Sequence, residues 1–79
     1  MTNSEKLYSA FSEALNISLD KVSDDLKYQS IPQWDSISHM VLISTIEEAF
    51  GISLSTDDVI DMSTVGKAKE IIAKYNISF

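Results

Sequence analysis

Few side chains in this sequence stand at spacings that could do chemistry. Ser36 and His39 lie three apart, so on a helix they share a face and a nucleophile–base pair has to be weighed. No acid beyond Asp35 is placed to orient the ring, and no oxyanion-hole signature accompanies the pair. A chain of 79 residues also leaves little room for a substrate pocket. The plainer expectation puts His39 at the edge of the core, in the first turn of a helix. Glu47 and Glu48 are adjacent, about 100° apart around a helix axis, so they diverge instead of meeting as acid and base. Asp57, Asp58 and Asp61 lack the spacing and the glycine of a calcium loop and read as a solvated first helical turn. With one histidine and no cysteine, a two-histidine metal site, a thiolate zinc site and a disulfide framework are all excluded. No catalytic set and no metal site is expected.

Asp35-Ser36-Ile37, at the mouth of a helix, is a different kind of candidate. A serine in the first turn is exposed beside backbone N–H groups that have no intrahelical acceptor. The electropositive helix end then suits a covalently attached phosphate. The same residues also make an ordinary cap, with Asp35 as N-cap and Ser36 as filler. Local physics does not separate the two.

Charge narrows the partners. Twelve carboxylates against six lysines, with no arginine, give a formal charge of −6. Nucleic acid is excluded as a partner because phosphate neutralisation needs a basic face, and anionic lipid is disfavoured for the same reason. Basic protein surfaces are the better match. The N-terminal residues lack the form of a secretory signal, and no apolar run approaches the ~20 residues of a membrane span. A monomeric, cytoplasmic protein with one domain over residues 1–79 is expected.

The elements that must hold these residues are legible from periodicity. Thr2-x-x-Glu5 has the form of a capping box, and Leu7, Phe11 and Leu15 follow at helical spacing, predicting a helix over 4–15. From Asn16 to Trp34 the periodicity fails. Six large apolar residues, Ile17, Leu19, Val22, Leu26, Ile31 and Trp34, predict a long loop folded back onto the core, with room for a short helix around Val22–Lys27. Asp35 caps a helix from Ser36 to Phe50, about 22 Å long, and Gly51 ends it. Ser55 and Thr56 open a short helix through Asp61. Ser63 or Thr64 opens a last one carrying Val65, Ala68, Ile71, Ile72 and Tyr75. The fold class is all-α: a small four-helix bundle, three main helices and one short one, with a long first loop.

Taken together, Asp35-Ser36-Ile37, then Glu47-Glu48-x-Phe50-Gly51-Ile52, then Thr64-Val65-Gly66 resemble the acyl carrier proteins over nearly the whole chain. The resemblance implies that Ser36 carries 4′-phosphopantetheine through a phosphodiester and that the cofactor's thiol holds acyl groups as thioesters. It implies a carrier, not an enzyme, served by a phosphopantetheinyl transferase and by acyl-loading and acyl-transfer enzymes. An aminoacyl or peptidyl carrier shares these features. An unmodified acidic helical adaptor would keep the fold without the cofactor.

Two departures from the family pattern stand out. Many members have a glycine two or three residues before the Asp-Ser pair, where this chain has Ile31-Pro32-Gln33-Trp34. The run Trp-Asp-Ser-Ile-Ser-His-Met is similar to discrete carriers of specialised pathways. Family partners typically read the second helix with basic residues, yet Ser38 and Val41 stand where acids are expected. On a helical wheel Ile43, Ile46 and Phe50 mark a core face, with His39 and Leu42 flanking it, while Ile37, Val41, Ser44 and Glu48 mark another. The expected docking residues are therefore Ile37, Val41, Glu47 and Glu48, unless Val41 is buried against the last helix.

Overall fold

A computed structural model describes residues 1–79 as an all-helical chain: α1 (Asn3–Leu15), a 3-10 turn (Leu19–Lys21), α2 (Ser36–Phe50), α3 (Thr56–Asp61) and α4 (Val65–Ala73). The capping box forms as read. Thr2 Oγ1 accepts from the Glu5 N–H at 3.1 Å, and Glu5 Oε1 accepts from the Thr2 N–H at 2.9 Å. α1 buries Leu7, Ala10, Phe11 and Leu15 and ends at Asn16, which adopts the left-handed conformation. α2 buries His39, Leu42, Ile43 and Ile46. At its far end Gly51 has φ +64°, and both the Gly51 and Ile52 N–H groups turn back to the Glu47 carbonyl. Val65, Ala68, Ile71 and Ile72 of α4 complete the core.

The long first loop folds onto that core, with one correction. No helix forms around Val22–Lys27, because the backbone groups it needs are used elsewhere. In a helix the Tyr28 N–H would bond to the Asp24 carbonyl. Instead it donates to the Ser63 carbonyl at 2.8 Å, while the Asp24 carbonyl takes the Gly66 N–H at 2.9 Å and the Leu26 carbonyl takes the Val65 N–H at 3.1 Å. The loop thereby satisfies first-turn donors of α4 that have no partner within their own helix. Gly66 permits the approach, since a Cβ there would sit 3.2 Å from the Asp24 carbonyl oxygen.

Of the loop's apolar residues, Trp34 is fully buried and Ile17, Val22, Leu26 and Ile31 pack against the core, whereas Leu19 is exposed. Trp34 meets Phe11 edge-on at 5.3 Å between ring centroids and Tyr28 at 6.1 Å. Fully burying a large apolar side chain contributes about 1.5–3 kcal/mol, so Trp34 anchors the approach to α2.

α3 also departs from expectation. Asp57 and Asp61 are exposed, but Asp58 is buried, not solvated. Its carboxylate accepts from the Lys74 ammonium at 2.6 Å and from the Tyr75 hydroxyl, tying α3 to the end of α4.

Candidate functional site at the mouth of α2

Ser36 is the first residue of α2 and is exposed. Asp35 sits before it in extended conformation, and its Oδ1 accepts from the Ser38 N–H at 2.8 Å. That bond holds the Asp35 carboxyl below the usual carboxylate range, so it is an anion at neutral pH. Asp35 thus fixes where the helix starts, and the start fixes where the Ser36 hydroxyl stands. Trp34, buried one residue earlier, pins the chain from the other side.

His39 lies one turn into α2 and is buried, as the plainer reading expected. The Trp34 indole N–H donates to His39 Nδ1 at 2.9 Å, and an indole nitrogen can only donate. Nδ1 is therefore the acceptor, and the ring proton sits on Nε2, which donates to the Val59 carbonyl at 2.9 Å. Both nitrogens are engaged, so neither is available to take a proton from Ser36. The nucleophile–base pair is absent. No group of three or more His, Cys, Asp or Glu side chains is arranged to hold a metal ion.

Between α2 and α3, against Ser36, lies a cavity of about 320 Å³ walled mostly by apolar surface, with Met40, Val59, Ile60 and Met62 among its lining residues. Around its mouth, four large apolar side chains are exposed to solvent, Met40 and Ile60 of the lining among them: Ile37 is 77% exposed, Met40 59%, Val41 50% and Ile60 73%. Val41 is therefore on the surface and not packed against α4. Glu48 shares that surface. Glu47 does not stand free on it, because its Oε2 accepts from the Leu54 N–H at 2.8 Å and braces the connection to α3. Met40 and Ile60 join the patch without having been expected there. Their signal was present in Met40, which precedes Val41 outside the core stripe, but Ile60 needed the position of α3.

Comparison with known proteins decides the family. Residues 5–72 match the family model described as the phosphopantetheine attachment site. An acyl carrier protein of Lactobacillus johnsonii is 35% identical over 89% of this chain and 88% of its own length. The acyl carrier protein MbtL of Mycobacterium bovis is 33% identical over 91% and 86%. One from Buchnera aphidicola is 32% identical over 96% and 98%. This chain is an acyl carrier protein family member.

The cofactor of such a carrier is 4′-phosphopantetheine, attached covalently. The residues present fit it. An exposed hydroxyl at the electropositive end of α2 suits a phosphodiester, and the apolar cavity beside it suits the chain beyond. No helix is long and apolar enough to cross a membrane.

Proposed function

We propose that Ser36 is the attachment point of 4′-phosphopantetheine and that the protein works as a carrier, not a catalyst, presenting acyl intermediates to successive enzymes. The observation that carries this reading is the exposed Ser36 hydroxyl at the first position of α2, directly against an apolar cavity. A separate phosphopantetheinyl transferase loads the serine. Once attached, the group supplies the thiol that holds cargo as a thioester. Asp35 caps α2 and keeps the serine at the helix mouth, while the apolar lining of the cavity favours acyl over charged aminoacyl cargo. The Trp34-to-Met40 run supports a discrete carrier of a specialised pathway.

Ile37, Val41 and Glu48 form the surface that partners read, with Glu47 at its margin. The patch is mainly apolar, in keeping with the absence of acids at Ser38 and Val41. A thiol titration tests the attachment cleanly, because the chain contains no cysteine of its own. Incubation with coenzyme A and a broad-specificity transferase is expected to give one titratable thiol per chain, and none in Ser36→Ala. A thiol-free native protein that remains folded would favour the unmodified adaptor.

A further inference from the structure

We infer that His39 is a positioning residue that latches α3 over the cavity and so governs how far cargo is shielded from solvent. This inference rests on the carrier reading of Ser36 and deepens it. α3 spans Thr56–Asp61, and so short a helix leaves its later carbonyls without intrahelical partners. His39 Nε2–H donates to the Val59 carbonyl, one of these, and so joins α2 to α3 at the wall of the cavity that both residues line.

Little apolar burial fixes α3 otherwise. Ile60 is exposed, Val59 is half-buried, and only Met62, at its C-terminal cap, belongs fully to the core. On its far side the Asp58 contacts to Lys74 and Tyr75 hold it to α4. A short element held chiefly by directional polar bonds is one that opens locally without unfolding the molecule.

Trp34 completes the device. Its N–H on Nδ1 fixes the tautomer that puts a donor, not a lone pair, towards the Val59 carbonyl. The two ring planes lie within 23° of each other, side by side through this hydrogen bond with centroids 6.1 Å apart, and Tyr28 lies 5.1 Å from the imidazole, so the ring has little freedom to swing away. Trp34 thereby orients the latch from a buried position in the loop that precedes Ser36.

The test compares thioester cleavage by hydroxylamine in protein loaded with acetyl- or octanoyl-phosphopantetheine, for native chain, His39→Ala and His39→Gln. In native protein octanoyl cargo is cleaved more slowly than acetyl, because the longer chain draws the thioester towards the cavity. In His39→Ala the acetyl-to-octanoyl rate ratio falls about two- to tenfold, the weight of one net hydrogen bond on the opening equilibrium. The amide N–H of His39→Gln can reach the same carbonyl and restores most of the ratio. A purely structural role would lower the melting temperature of both variants and leave the ratio alone. Should His39→Ala not fold, Trp34→Phe, which keeps an aromatic ring in the core but deletes the donor to Nδ1 together with part of the buried indole, is expected to lower the same ratio.

An unchanged ratio in a folded His39→Ala or Trp34→Phe variant overturns the latch, as does a native protein that protects octanoyl no better than acetyl. Failure of the native chain to load at all instead overturns the attachment reading, so the two failures are distinguishable.

Discussion

Between α3 and α4 the Lys74 ammonium and the Tyr75 hydroxyl donate to the Asp58 carboxylate and hold its pKa down to about 2. The folded value lies below the ordinary 3.8, so Asp58 contributes stability that is fully present above 3.8 and is lost as the pH falls through about 2. Replacing it by Asn removes that contribution. The stability gap between native protein and Asp58→Asn, followed by chemical denaturation, is expected to be widest above 3.8 and to narrow steadily towards 2. A gap that does not depend on pH would contradict the assignment. Nothing in the sequence announces this contact, since Asp58 and its partners stand 16 and 17 positions apart. Ser36 and Asp35 were legible for the opposite reason: a cap and a first-turn serine are set by neighbours within one turn. His39 falls between these cases. Its burial follows from the helical wheel, but the tautomer depends on Trp34 and Val59 meeting it in space.

The elements divide in the same way. α1, α2 and α4 carry their start signals locally, and α2 its stop as well, and the structure uses Thr2, Asp35, Gly51 and Thr64 as read. The loop from Asn16 to Trp34 has no period to read, because its backbone hydrogen bonds are divided between short local turns and three bonds to Ser63, Val65 and Gly66 at the far end of the chain. Its burial was nevertheless legible from its apolar content, whereas the helix it had room for around Val22–Lys27 does not form and a 3-10 turn stands at Leu19–Lys21 instead. Gly51 provides an element-level test. A Cβ there meets nothing within 4 Å, so the cost of Gly51→Ala is backbone strain alone at φ +64°. It is expected to destabilise the fold by about 1 kcal/mol, with Gly51→Asn losing less, as read from urea unfolding. Equal stability in all three proteins would mean that α2 ends differently from the geometry described.

Across the whole molecule, a charge of −6 coexists with a largely apolar surface beside Ser36. These two features act at different stages of an encounter. On the proposed docking surface, long-range attraction would bring a basic partner in, and the apolar patch would then set how long it stays. Val41→Ala and Ile37→Ala are therefore expected to raise the KM of a partner enzyme several-fold, up to about tenfold for ~1.4 kcal/mol, with kcat unchanged and little dependence on salt. Glu48→Lys is expected to act most strongly at low ionic strength. A loss that follows charge alone, with Val41→Ala silent, would contradict the apolar patch.

The carrier function turns on covalent loading of one hydroxyl, which intact-mass spectrometry with peptide mapping reads directly after incubation with coenzyme A and a transferase. The expected result is a single mass gain of one phosphopantetheinyl group, mapped to the peptide containing Ser36 and abolished in Ser36→Ala. A folded native protein that gains no mass, or a Ser36→Ala variant that still gains it, would contradict the central claim.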